Sequence, residues 1–244
     1  MARQFSKTPT PDDAVNCGDF ASVDGLTTFT MGAWVKRDSS NALVNISKFS
    51  SVNSDISIQV FSDGNIYFAM RNGANTSANF ARNVTTWDRL LMVFDGALVG
   101  DARLTCFLNG ASQALSYTGA MPATTPTNAG DFIIGSINSG GSDGSIAEVK
   151  LWSTALNAGQ AKDDYYGRGP HADLGYWPLG YGSPEPDYSG AGNNGTLVSS
   201  PSIVDHPPIG TQFGYDESIS PYEVAAAGGH GGLLSSQRNR LVGV

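Results

Sequence analysis

The chain is poor in cysteine, in charge and in long apolar runs. Two cysteines in 244 residues are too few to staple a fold of this size, so stability must come from a buried core. Cys106 alternates in phase with Leu104 and Leu108 and is expected to point inward as a reduced thiol acting as a small hydrophobe. No apolar stretch is long enough to span a bilayer. Met1-Ala2-Arg3-Gln4-Phe5-Ser6 leads into no apolar core and cleavage site, which argues against a secretory signal. The sequons at Asn45, Asn75, Asn83 and Asn194 then carry no weight. Only 15% of residues are charged, and the net charge is −8, which disfavours nucleic acid and anionic membranes as partners. The basic residues near the ends, Arg3, Lys7, Arg238 and Arg240, suit an acidic protein surface instead.

What is abundant is turn and strand material. Thirty glycines and 12 prolines accompany a 40% hydrophobic share, the balance of many short strands joined by turns. Phe29 to Lys36 alternates, with Phe29, Met31, Ala33 and Val35 on one face. Trp87 to Phe94 is apolar at almost every position and reads as a central strand covered on both sides. Arg103 to Leu108 runs into Asn109-Gly110, a hairpin turn signal. Phe132 to Gly135 and Ile146 to Trp152 supply two further strands, with a polar loop at 136–145 between them. Around Asp63-Gly64 the rows Ile56, Ile58, Val60 and Ile66, Phe68, Met70 can be buried together only through a three-residue loop with Gly64 left-handed. Asn157, Gln160 and Gly167 mark one short helix with a capping box and a glycine stop.

Four segments in order resemble the laminin-G-like jelly rolls of the concanavalin A-like lectin/glucanase superfamily. They are Phe29–Lys36, Thr86–Leu90 with Phe94-Asp95-Gly96, Leu104–Gly110, and Gly144–Trp152 with Ala155-Leu156. Tyr176-Trp177-Pro178-Leu179 followed by Asp187 to Leu197 resembles a strand–turn–strand segment found beside such domains. Its turn would use the freedom of Asn193, Asn194 and the glycines to adopt positive φ. The resemblance implies an all-β, antiparallel two-sheet jelly-roll sandwich with one short helix and a largely irregular C-terminal arm. The expected organisation is a jelly roll at 1–170, an added segment packed on it at 171–201, and a Gly/Pro-rich arm at 202–244.

The superfamily holds sugar-cleaving enzymes and binding modules, and carboxylates decide between them. Its glycosidases alternate acids along a strand as in E-x-D-x-E, the close pairing that retaining hydrolysis needs. No such run exists here: Glu148 stands alone, the family's usual aspartate position is Ala147, and Glu185-Pro186-Asp187 lies in a turn. Gly140 to Gly144 fits G-x-S-x-G, but between strands rather than at a strand–helix elbow. His171, His206 and His230 lack metal-ligand spacing. No cofactor is expected. Calcium is the metal to consider, yet the 136–145 loop offers only Asp143 against the several oxygens it needs. Trp34, Trp87, Trp152 and Trp177 read as core aromatics. The chain therefore reads as non-catalytic. The leading reading is a structural or decoration protein of an assembled particle, a bacteriophage virion, with some glycan-binding capacity. It would attach to other particle proteins through the arm, using Ile209, Phe213, Tyr215, Tyr222, Leu233, Leu234, Arg238, Arg240 and Leu241. The alternative is a carbohydrate-binding module of an adhesin or secreted hydrolase.

Overall fold

The computed structural model describes residues 1–7, 11–39, 43–51, 54–135 and 142–208. In chain order the first strands are β1 (Ala2–Phe5), β2 (Ala14–Asp19), β3 (Thr28–Arg37), β4 (Val44–Ser51), β5 (Ser54–Val60), β6 (Asn65–Asn72), β7 (Ser77–Ala81) and β8 (Asp88–Asp95). Then come β9 (Leu104–Leu108), β10 (Ala111–Ser112), β11 (Ser116–Thr118), β12 (Asp131–Gly135) and β13 (Gly144–Trp152). Helix α1 (Ala158–Tyr165) precedes β14 (Gly175–Trp177), β15 (Thr196–Val198) and β16 (Ser202–Val204). Among the described residues these strands form two antiparallel sheets. The first runs β10-β9-β8-β3-β13-β1-β16, with β14 also paired to β13; the second runs β11-β7-β6-β5-β4-β12-β2-β15. Their inner rows meet in one core, giving the expected jelly-roll sandwich with one α-helix.

Local sequence explains the register. Phe29, Met31, Ala33 and Val35 all enter the core between the sheets. Strand β8, flanked by β3 and β9, is buried along nearly its whole length, as its unbroken apolar run requires. In the β5–β6 hairpin Val60 pairs with Ile66 and Ile58 with Phe68, and Gly64 has φ +81°. The three-residue loop thus places both apolar rows in the core. Asn109 and Gly110 take φ +51° and +77°, the left-handed pair of a tight hairpin turn, and β9 returns as β10. Asn157 and Gln160 form a reciprocal capping box on α1.

Three features depart from the sequence reading. First, β1 inserts between β13 and β16, so Ser202–Val204 belongs to a sheet and the arm does not begin at residue 202. Second, β14 joins the first sheet and β15 the second, so the strand–turn–strand segment at 171–201 supplies a strand to each sheet rather than packing on the jelly roll from outside. Trp177 enters the core, 5.4 Å from Phe132 and 5.8 Å from Phe20 by ring centroids. The turn takes its positive φ at Gly190 and Gly192. Its asparagines act through hydrogen bonds instead: Asn194 Oδ1 accepts from the Asp187 amide, and the Asn193 amide donates to Asp187 Oδ2. Third, Arg3 does not face solvent. It forms a buried ion pair with Glu185 and donates to the carbonyls of Pro201 and Gly182 at 2.6 and 2.8 Å. A buried guanidinium requires such partners, and here they tie β1 to the last strands.

Candidate functional site

The outer faces of the two sheets are built differently. On the first sheet Leu91, Val93, Phe107 and Trp152 are covered by Leu156, Ala161 and Ala172, which places α1 over the face. Trp34 stacks 5.5 Å from Tyr165 of the same helix. Arg89 of β8 reaches Asp164 of α1, Nε to Oδ2 at 2.7 Å. Lys150 of β13 meets the same carboxylate at 3.1 Å. Burial opposes the charge on Asp164, but Arg89 and then Lys150 hold its carboxyl below the usual range.

No helix crosses the second sheet among the described residues, and its outward residues are mostly polar or small, with Phe49, Tyr67 and Ile133 among them. Ser47 of β4, Ser57 of β5, Ala69 of β6 and Ser77 of β7 align in one row. All four are buried, because small side chains sink below taller neighbours. A second row aligns Asn45, Gln59, Tyr67 and Asn79. A third aligns Phe49, Asp55 and Arg71. The result is a groove with a hydroxyl-lined floor and amide, aromatic and charged walls. Arg71 Nη1 donates to both oxygens of Asp55 at 3.1 Å, so the ion pair carries no net charge. Burial nonetheless pushes the Asp55 carboxyl up, against the pull of Arg71 and Ser57. Asn45 Oδ1 is buried without a hydrogen-bond partner, an acceptor that a bound donor would satisfy.

The groove does not pair two free carboxylates. Asp131 of β12 falls in the same row as Asp55, with Phe49 of β4 between them, about 9.6 Å away by strand spacing. Asp131 Oδ2 accepts from Asn16 Nδ2 at 2.8 Å.

Glu148 occupies a distinct position. The pairing of β13 with β3 shifts register between Ala147 and Lys150, and Glu148 has φ +51°. This bulge falls where the other neighbour of β13 changes from β1 to β14. It keeps Ile146 and Val149 both in the core and leaves Glu148 facing out. The Tyr176 hydroxyl donates to Glu148 Oε2 at 2.6 Å. Burial first, and then this carboxylate, push the Tyr176 phenol strongly up. His206 Nε2 lies 3.3 Å from Glu148 Oε1 and Lys150 Nζ 3.6 Å from Oε2. Glu148 is therefore not isolated, and His206 is not a bare turn histidine. Sequence offered no sign of either, since the bulge depends on two strands sharing one edge of β13.

The other sequence candidates take structural places. Ser142 of G-x-S-x-G is buried, donating to the Gly135 carbonyl and accepting from the Asn45 amide, so it is no exposed nucleophile. The Asp143 backbone bonds the backbone at Asp38 and Leu43 while its carboxylate lies 3.9 Å from Lys7 Nζ, and Asp13 accepts from the amides of Ser6 and Ser200. No three His, Cys, Asp or Glu side chains converge among the described residues. Both cysteines are free and buried. Trp34, Trp152 and Trp177 are core residues, whereas Trp87 is half-buried under Lys36, whose Nζ lies 5.9 Å from the ring. The nine partner-contact residues from Ile209 to Leu241 fall outside the described residues.

A family model described as the concanavalin A-like lectin/glucanases superfamily matches residues 9–162. That is more than half of the chain, which belongs to this superfamily. No curated protein matches it. Among solved structures, a candidate carbohydrate binding protein from Bacteroides ovatus aligns at 18% identity and TM-score 0.57, covering 84% of this chain and 61% of that one. This chain thus spans less than two thirds of that relative, and the likeness shows a shared fold. A native heptameric SAP-like pentraxin from Limulus polyphemus aligns at 17% identity and TM-score 0.47, over 69% of this chain and 82% of that one. The CBM40 of a Ruminococcus gnavus IT-sialidase, bound to α2,3-sialyllactose, aligns at 15% and TM-score 0.48, over 63% and 93%.

Proposed function

We propose that this protein is a non-catalytic carbohydrate-binding domain whose saccharide site is the groove on the second sheet. One observation carries the reading: a sheet face that no helix crosses among the described residues presents a row of small residues between amide and aromatic walls. Sugar hydroxyls both donate and accept, and so do the half-buried side-chain amides of Gln59 and Asn79. Tyr67 offers an aromatic surface at the rim. With the Asp55–Arg71 pair closed and Asp131 a further charged side chain in that row, the groove fits a neutral saccharide better than a phosphate. The fold shared with the candidate carbohydrate binding protein of Bacteroides ovatus supports the same class of ligand.

The test is titration with maltopentaose, cellopentaose, laminaripentaose, xylopentaose and chitopentaose. At least one should bind, and Gln59→Ala with Asn79→Ala should weaken it about tenfold, the worth of one to two lost hydrogen bonds. Binding unchanged by both substitutions would move the site elsewhere. Hydrolysis of any of them that Asp55→Asn abolishes would make the domain an enzyme. The particle reading is a separate proposal, resting on residues 209–244, and no described residue favours it over saccharide binding.

A further inference from the structure

Beside β14 of the opposite sheet, the Tyr188 ring contacts both Tyr176 and Tyr181. Ring centroids are 6.2 Å apart for the first pair and 6.1 Å for the second, with planes inclined by 58° and 64°. Tyr181 is 55% exposed and Tyr188 51%, which is unusual for rings on so firmly fixed a backbone. The Tyr188 amide donates to the Tyr176 carbonyl at 2.8 Å. The amides of Gly180 and Tyr181 donate to Glu185 at 2.8 and 3.2 Å, and Arg3 anchors that carboxylate. Asp187 accepts from the amides of Tyr176 and Ser189, both at 2.9 Å. Hydrogen bonds from both sides therefore fix the backbone that carries the two exposed rings before anything binds.

Polar groups fringe the cluster at its buried end. Lys150 Nζ lies 5.2 Å from the Tyr176 ring centroid, and Glu148 with His206 lies beyond the Tyr176 hydroxyl. Inclined aromatic faces bordered by groups that donate and accept suit the apolar C–H face and hydroxyl edge of a pyranose. A purely apolar partner would leave Glu148 and Lys150 desolvated beside it.

We infer that Tyr181 and Tyr188, backed by Tyr176, form a second saccharide-binding platform, separate from the groove. The choice of ligand class rests on the carbohydrate-binding reading; the placement does not. The experiment is NMR of the full chain with ring-labelled tyrosine, titrated with the five oligosaccharides named above. Tyr67 reports on the groove, and Tyr181 and Tyr188 on the platform. The expected result is a saturable shift of Tyr181 and Tyr188 with at least one sugar. Tyr181→Ala/Tyr188→Ala should weaken that response, read at Tyr176, about tenfold without lowering the Tm, and the double Phe variant should retain most of it. Shifts confined to Tyr67 would overturn the platform and leave the groove standing. Shifts at neither place would overturn both. Shifts of Tyr181 and Tyr188 on raising the protein concentration without sugar would reassign the patch to self-association and overturn the platform.

Discussion

The outer faces of the two sheets begin from similar strands and end as opposites. On the first, apolar side chains alternate with Arg89 and Lys150, and α1 must cover both kinds at once. On the second, serines, amides and one closed ion pair need no cover. The contrast teaches that a sheet face whose polar side chains pair with one another needs no helix over it. A face carrying large apolar residues has to be committed to structure.

The largest effect should come from breaking the covered face. Asp164→Ala leaves Arg89 buried without its carboxylate and should cost about 3–5 kcal/mol in urea unfolding. Ser57→Ala on the groove floor removes one hydrogen bond to Asp55 and should cost about 1 kcal/mol. Equal losses would mean that the second face is as structural as the first.

Removal of β16 comes next, because it closes the edge of the first sheet beside β1. A chain ending at Pro201 should lose on the order of 2 kcal/mol relative to one ending at Pro208, from ladder bonds and the half-buried Val204. Indistinguishable midpoints would show that β16 adds nothing to that edge.

Gly64→Val probes the groove through its hairpin. Open space surrounds the added Cβ, so the cost is the left-handed backbone alone, about 1–2 kcal/mol. An unchanged urea midpoint would mean that the loop can adopt another turn.

The two faces should also differ in the sign of their pH dependence. The folded pKa of Asp164 is lowered, so its contribution is present above the unfolded value of about 3.9 and is lost as pH falls through the folded value. The folded pKa of Asp55 is raised, so its charge costs stability above that folded pKa, and the cost disappears as pH falls below the unfolded value. Asp164→Asn should therefore destabilise at pH 7, whereas Asp55→Asn should be neutral or stabilising. Both differences should shrink in urea titrations taken below about pH 3.9. Two variants moving in the same direction at pH 7 would contradict this contrast between the faces.

Much of the sandwich was legible because its signals are local. The phase of Val60 against Ile66 required Gly64 to be left-handed, and Asn157 with Gln160 required a helix start; the structure has both. The candidate sites were far less legible. Ser47, Ser57 and Ala69 are unremarkable in sequence and form a floor only when three strands align them. Tyr181 and Tyr188 lie seven positions apart in a turn-rich segment, and nothing in their spacing brings their rings to 6.1 Å.

Hydrophobic period, turn residues and caps by themselves determined the main strands, the β5–β6 register and the start of α1, because each acts over a few neighbouring residues; the two-sheet sandwich was what the family resemblance implied. Tertiary structure alone decided that Arg3 meets Glu185 across 182 positions and that β14 and β15 enter different sheets. It also decided that Glu148 turns outward at a bulge. Each of these depends on which strands become neighbours. That choice minimises buried, unpaired charge and backbone over the whole molecule, a sum to which no short segment of sequence gives access.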